Sequence, residues 1–468
     1  MGQVAVVIGQ AGTGKTTWLL TKAVDAAARL ITADHQRMLV ITRMHGARRR
    51  LEHKLKEACR SIPYSVATID GFALSIVNRW RASLGHAKPV AAVPGDVNFA
   101  DGVFGIEADF GRVVGSATKL LDSATIGGVI GATYPLILID EFQDCHGPLL
   151  EFVIGLSKHS HVLLAADDFQ LLDSTVQGCP AVEWAGTQAA SGAGTVEELT
   201  TCRRTSVTWI LDAARCLRDN IPSIGRTVPV ICCPSHGPAA WKIIERLACC
   251  VPSDRWTGTC ALICPSHDPV LGKVLESCEN QLRKKNRGPI RWHVECAAED
   301  EQDRTAASLG ITAAMHDSDG GWHTPSGPFD GVATHVLNRV RRFARLRGID
   351  AIPQRLVARH VEMVVHEQRA YSSPSSSRAV TTVHGAKNRE FDNVFILWPY
   401  RVPRDVAQRR RLLYNAVTRS KRNCMVLVLG DENRARDDNV LSLLGPPEPA
   451  FPPRPGRGKE RRARLATT

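Results

Sequence analysis

No apolar run in the 468 residues approaches the roughly 20 needed to span a bilayer. A membrane-spanning helix is therefore not expected. The first residues lack a basic segment followed by an apolar stretch and a small-residue cleavage site. Val4 to Ile8 is too short for that role and runs directly into a glycine-rich loop, so no signal peptide is read and the expected location is the cytoplasm. Paired C-x₂-C knuckles are missing from the cysteine-rich region. Eight of the 14 cysteines lie between Cys232 and Cys296. A metal cluster drawn from Cys232, Cys233, Cys249, Cys250, Cys260 and Cys264 is conceivable, but adjacent Cys-Cys pairs ligate poorly. Cys260 to Cys264 (CALIC) reads better as a core strand, in which thiols act as small hydrophobes.

What is present is a basic, globular composition. Hydrophobic content of 44% and charged content of 23% suit a chain with large cores, and the length suggests two to four domains. The net charge of +12 favours a polyanionic partner, nucleic acid first. Part of that charge sits in a tail. Arg454, Arg457, Lys459, Arg461, Arg462 and Arg464 against Glu460 leave the tail at +5 and the remainder at +7.

Two segments carry the chemistry. Gly9-Gln10-Ala11-Gly12-Thr13-Gly14-Lys15-Thr16 fits the phosphate-loop template GxxxxGK[ST] and follows the aliphatic run Val4 to Ile8. Its backbone N–H groups, with Thr17 at the start of the following helix, would curl around nucleotide phosphates. Lys15 would reach the β- and γ-phosphates, and the Thr16 hydroxyl would ligate Mg²⁺. Leu136 to Ile139 reads as a buried strand ending in Asp140-Glu141-Phe142-Gln143-Asp144, at the edge where open parallel sheets place their chemistry. Asp140 would hold Mg²⁺, and Glu141 would accept a proton from the attacking water. A further strand ends in Ala165 to Gln170 (AADDFQ) on the same edge, where Gln170 could contact the γ-phosphate or its water. Together these segments predict NTP hydrolysis with ATP and Mg²⁺ as cofactors. Charge stabilisation in the transition state also needs an arginine, for which Arg203, Arg204 and Arg419 are candidates.

Strand-like and helix-like segments alternate on either side of about residue 200, which predicts two α/β units. The fold class expected is α/β, with two tandem units and small inserted subdomains. The first domain covers 1–81 and 133–198, with an insertion at 82–132. The second covers 199–299 and 378–445, with an insertion at 300–377 that has a basic helical middle (Val336 to Leu346) and ends in a serine-rich run. Residues 446–468 are read as a disordered basic tail.

The motifs fall into an order that resembles the superfamily 1 helicases of the UvrD/Rep type, over most of residues 1–430. Asp140 to Asp144 (DEFQD) is that family's form of the Mg²⁺ motif. Leu199 to Ser206 (LTTCRRTS) is similar to its fourth motif, Thr382 to Phe391 (TVHGAKNREF) to its fifth, and Arg411 to Ser420 (RLLYNAVTRS) to its sixth. The resemblance implies that the two units are tandem RecA-like P-loop NTPase domains, that Arg204 contacts the γ-phosphate and that Arg419 is the arginine finger. It implies that Glu390 touches the ribose, that Lys387 lies near the nucleotide, and that His384 couples the nucleotide to DNA. Thr42 and Arg43 correspond to one strand-contacting motif, and Thr68 opens the next.

Departures from the family are equally specific. Ile69 replaces an aromatic, and Asp173 and Thr175 stand where the family carries base-stacking aromatics. Base stacking is worth about 1–3 kcal/mol per base, so translocation by the usual ratchet is in question. Phe72, Trp80 or Trp184 could substitute, although each reads as core. The family's adenine-stacking tyrosine is Arg203, whose guanidinium plane can also stack, which predicts relaxed base selectivity. The leading expectation is an ATP-dependent DNA helicase or translocase, 3′ to 5′, hydrolysing ATP in the cleft between the two domains and acting on single-stranded or partly duplex DNA. A nucleic-acid-stimulated ATPase switch, or a partner subunit of a nuclease-containing phage-defence system, is the alternative. An RNA helicase is a third.

Overall fold

A computed structural model describes residues 3–451 apart from 43–44, 103, 226, 249–254, 267–268, 296–297, 313–314, 316–317, 319, 325–328, 372–376, 400–401 and 404. The chain forms two α/β units. One comprises Met1–Arg203 with Cys296–Ser373, the other Arg204–Glu295 with Pro374–Thr468.

The first unit is built on a six-stranded parallel sheet. Its strands are β1 (Val4–Gly9), β2 (Met38–Thr42) and β3 (Tyr64–Thr68), then, after a small sheet of β4 (Val90–Val93), β5 (Ala100–Gly102) and β6 (Gly105–Asp109), β7 (Leu136–Ile139), β8 (His161–Ala166) and β9 (Gly194–Leu199). The order is β3-β2-β7-β8-β1-β9. The central strands are continuous aliphatic runs because helices cover both faces of the sheet, as in parallel α/β architectures generally. Met38 to Thr42 and Leu136 to Ile139 are buried at every position. One strand, β8, separates the phosphate-loop strand β1 from the acidic-edge strand β7. That RecA-like order brings three carboxyl-end loops side by side.

The segment expected as an insertion at 82–132 divides in two. The small sheet β4-β6-β5 lies outside the main sheet. The helix Phe110–Leu121, by contrast, buries Val113, Val114, Ala117, Leu120 and Leu121 in the same core as Phe72, Phe152 and Leu156. Its i, i+3, i+4, i+7 apolar spacing supplies the face that makes this possible.

The second segment expected as an insertion lies within the sequence of the second unit but packs with the first. Its helices Ala298–Ser308, Gly331–Arg347 and Gln354–Tyr371 share a core of Leu309, Val336, Val340, Val357, Val361 and Val364. An aromatic cluster joins it to the small sheet. The Phe104 ring lies 5.6 Å from Phe343 and 5.0 Å from His360, edge-on to both. Such edge contacts add about 0.5–1.5 kcal/mol each beyond area burial.

The second unit carries a seven-stranded parallel sheet of β10 (Val230–Cys233), β11 (Cys260–Cys264), β12 (His293–Val294), β13 (Arg378–Thr382), β14 (Phe391–Trp398), β15 (Ser420–Leu429) and β16 (Glu448–Pro449), in the order β12-β13-β11-β14-β15-β10-β16. The tail was expected to be unstructured from residue 446. Instead β16 pairs with Ile231 and Cys232, so the sheet continues past that point. Residues 452–468, including the whole basic run, lie outside the described residues.

Candidate active site

The loop from Gly9 to Gly14 turns β1 into the helix Lys15–Leu30. Gly14 has φ of 94°, a left-handed conformation that strains any side chain. Gly9 is fixed by space: a Cβ there would lie 2.6 Å from Thr13 Oγ1 and 2.8 Å from the Leu199 carbonyl oxygen. The Thr13 hydroxyl donates to the Gln10 carbonyl at 2.9 Å and closes the loop. Lys15 Nζ donates to the carbonyls of Gly9 at 2.8 Å and Gln10 at 3.0 Å, and lies 3.8 Å from Asp167 Oδ2. The first helical turn has no acidic residue. Its unpaired N–H groups and the positive end of its dipole therefore face the loop, the arrangement that suits an anion. Beyond β9, the Cys202 thiol donates to the Ala11 carbonyl at 3.6 Å and the Arg203 N–H to the Gly12 carbonyl at 2.7 Å. The Arg203 side chain passes 3.6 Å from where a Cβ on Gly14 would stand, so this segment straps the loop from outside.

The acidic edge meets the loop directly. Thr16 Oγ1 donates to Asp140 Oδ2 at 3.0 Å, and Asp140 Oδ1 accepts the Glu141 N–H at 3.0 Å. Burial, then the neighbouring Glu141 charge, push the Asp140 carboxyl up to about 6, against the pull of Thr16 and Lys15. Glu141 sits at φ of 58°, a conformation uncommon outside glycine that recurs at functional sites. Gln143, fully buried, donates through Nε2 to Glu141 Oε2 at 2.5 Å and accepts the Asp167 N–H on Oε1 at 3.0 Å. Gln170 Nε2 donates to Asp167 Oδ2 at 2.8 Å. One hydrogen-bonded chain therefore links Glu141, Gln143, Asp167 and Gln170, with Lys15 beside it. Sequence reasoning assigned no role to Gln143 or Asp167, although both stand in the segments DEFQD and AADDFQ. Mg²⁺ takes hard oxygen ligands, hydroxyl and carboxylate among them. Thr16 Oγ1 and Asp140 Oδ2, neighbours at the loop's edge, are donors of that kind and would hold such an ion.

In the second unit, Arg204 Nε donates to Glu390 Oε1 at 2.8 Å and Nη1 to the Thr418 carbonyl at 2.8 Å. Lys421 Nζ lies 3.1 Å from the other Glu390 oxygen. Burial raises the Glu390 carboxyl, but Arg204 and Lys421 outweigh it and hold it below the ordinary value. Arg419 is 2% exposed. Its Nε donates to the Asn415 carbonyl at 3.0 Å and its Nη2 to Thr418 Oγ1 at 3.3 Å, so its guanidinium folds back onto the end of helix Val406–Val417. Lys387 is buried in the turn after β13, and the His384 carbonyl accepts its N–H at 3.2 Å. The motif residues Arg204, Glu390 and Thr418 are thus assembled within this unit.

Residues 378–427 match the family model of the UvrD-like helicase C-terminal domain. The match takes in both the segment Thr382 to Phe391 and the segment Arg411 to Ser420. The resemblance to superfamily 1 helicases, read from the motifs, is borne out at that level. No curated protein matches the chain. Among solved structures, the arterivirus nonstructural protein 10 helicase, in a complex with DNA, is 12% identical over 94% of this chain, with a TM-score of 0.34. This chain spans 63% of that protein's length. The Pif1 helicase from Bacteroides, solved with ADP-AlF3 and single-stranded DNA, is also 12% identical, over 99% of this chain and 94% of its own, with a TM-score of 0.37.

Glu390 lies within the matched segment and Arg204 outside it, both in the second unit, whereas the residues expected to meet nucleic acid are split between the units. Thr42 and Thr68 are register partners at the carboxyl ends of β2 and β3, and Arg43 lies outside the described residues. Thr68 caps the helix Ile69–Arg79 by accepting the Gly71 N–H at 3.1 Å. His384 lies in the turn after β13. Ile69 and Phe72 are buried in the first unit's core, and Trp184 packs against Phe142 with ring centroids 5.8 Å apart. Trp80 packs against the same core. Asp173 accepts the N–H and hydroxyl of Thr175 at 2.9 and 2.6 Å, which makes a polar turn of this segment.

No metal-ligating cluster occurs among the described residues. Cys232, Cys233, Cys260 and Cys264 are buried in β10 and β11; Cys249, Cys250 and Cys296 lie outside the described residues. Burial pushes the Cys233 and Cys260 thiols up to about 12, which suits packing rather than ligation.

Proposed function

We propose that the protein is an ATP-dependent DNA helicase or translocase of the UvrD/Rep type, moving 3′ to 5′ on single-stranded or partly duplex DNA. The observation that carries the reading is the junction of phosphate loop and acidic edge in one unit, Thr16 to Asp140 at 3.0 Å with Lys15 beside Asp167. In the reaction, the loop amides and Lys15 bind the triphosphate. Thr16 and Asp140 would hold Mg²⁺, which neutralises phosphate charge when bound. Glu141 accepts the proton of the attacking water, and Gln143 fixes the orientation of that carboxylate. Arg204 and Arg419 are the arginines this proposal assigns to charge stabilisation, following the motif resemblance.

A second reading is favoured by the Asp173–Thr175 turn. Without stacking platforms there, nucleic acid would trigger ATP hydrolysis without unwinding, as in a switch or a subunit of a nuclease-containing assembly. ATPase rates with and without single-stranded DNA at two salt concentrations, beside a strand-displacement assay, decide the matter. DNA-stimulated, salt-sensitive hydrolysis with unwinding supports the helicase; the same stimulation without displacement supports the switch; hydrolysis indifferent to DNA rejects both.

A further inference from the structure

The helix Gly331–Arg347 buries Ala333, Val336, Leu337, Val340 and Ala344 and turns its opposite side outward. On that outer side Asn338, Arg341, Arg342 and Arg345 stand at i, i+3, i+4 and i+7, adjacent on one face and all exposed. The helix holds five arginines and no acidic residue. Arg347 rests over the Phe343 ring at 5.2 Å. Arg341, Arg342 and Arg345 have no hydrogen-bond or ion-pair partner among the described residues. Like charges at this spacing repel one another, so the face is complementary to a closely spaced row of negative charges.

We propose that this arginine face binds the phosphodiester backbone of nucleic acid, independently of sequence, as an anchor carried by the phosphate-loop unit. Guanidinium groups pair with phosphate oxygens through paired N–H donors, and backbone contacts of this kind position without reading bases. The anchor belongs to the first unit because Phe343 and His360 seat the insertion on Phe104, although the chain reaches it from the second unit. An anionic lipid surface fits less well. A membrane-lying helix needs a free apolar face, whereas this one is spent in the core and the outer side offers Leu346, 76% exposed. The inference rests on nucleic acid being the partner, as proposed above, but not on ATP hydrolysis.

The test is binding of the full chain to labelled single-stranded, duplex and 3′-overhang oligonucleotides across a salt series. The parental chain is compared with Arg341→Glu/Arg342→Glu/Arg345→Glu and with a control of equal charge change, Lys119→Glu/Lys273→Glu/Lys284→Glu. The arginine variant is expected to lose about three units of salt slope, roughly one per phosphate contact, and to bind at least about tenfold more weakly at 50 mM salt. The control should stay near the parental values, and ATPase without nucleic acid should be unchanged in both. The oligonucleotide most affected identifies whether the backbone is single- or double-stranded. Equal losses in the two variants, parental binding by the arginine variant, no oligonucleotide binding by the parental chain, or a loss confined to phosphatidylserine vesicles would each overturn the anchor. Oligonucleotide binding that depends on the arginines in a chain without ATPase activity would keep the anchor and reject the helicase reading instead.

Discussion

Thr16 donates its hydroxyl proton to Asp140 across 3.0 Å, joining residues 124 positions apart. The contact follows from sheet order. β1 and β7 flank β8 in a parallel sheet, so the loops leaving their carboxyl ends open on the same edge. The groups proposed for phosphate binding and for water activation thus share one sheet edge, and substitutions there should separate the two roles.

Glu141→Gln keeps the shape and the Gln143 contact but removes the base. ATP turnover should fall at least about 100-fold with nucleotide affinity near the parental value. Single-turnover hydrolysis beside binding of a fluorescent nucleotide measures this, and a parental rate removes Glu141 from the chemistry.

Gln143→Leu leaves the Asp167 N–H unpaired in a buried site, which costs about 1–3 kcal/mol, and releases the Glu141 carboxylate. A lower Tm together with a lower kcat at unchanged KM is expected. A fall in Tm alone would make Gln143 purely structural.

Arg419→Ala distinguishes two roles for a guanidinium that folds onto its own helix end. An arginine that stabilises the transition state is worth on the order of 10³ or more in turnover, a loss that Arg419→Lys would not restore. Parental turnover in a chain with reduced Tm would leave Arg419 as a helix cap.

If Arg203 takes the place of the family's adenine-stacking tyrosine, as proposed, its guanidinium plane is what meets the base. The parental chain should hydrolyse ATP and GTP with comparable kcat/KM, and Arg203→Tyr should move the ratio toward ATP. Strict rejection of GTP by the parental chain counts against a base-contacting Arg203.

Glu390 has its carboxyl held below the ordinary 4.5 by Arg204 and Lys421, against the effect of burial. A depressed folded-state value means the unfolded chain binds the proton more readily. The stabilisation is therefore complete above about pH 4.5 and is lost as pH falls through the folded-state value. Unfolding of the parental chain and Glu390→Gln should differ by a constant amount from pH 6 to 8, and the difference should shrink as acid protonates the carboxyl; a gap unchanged in acid contradicts the ion-pair account.

The elements around the two motif segments were legible because their parts are local. A phosphate loop between an aliphatic strand and a helix, and DEFQD after Leu136 to Ile139, need no knowledge of distant contacts. Val230–Cys233 and the edge strand Gly194–Leu199 were not read as strands. The first is too short to show a period, and the second is largely exposed, with Thr195, Glu197 and Glu198 in solvent. The bridging role of Gln143 depends on β7 and β8 being neighbours, which no local pattern encodes. The seat of the 300–377 segment escaped for the same reason: nothing in the periodicity of its helices names Phe104.

That seat has a consequence during synthesis. Phe104 leaves the ribosome well before Phe343 and His360, the rings it packs against. At about 5–20 residues per second, the small sheet waits on the order of 10–50 s for its cover. Over that interval a nascent chain exposes an aromatic side chain it will later bury. Messages truncated before the insertion would leave it permanently bare, a ready target for chaperones.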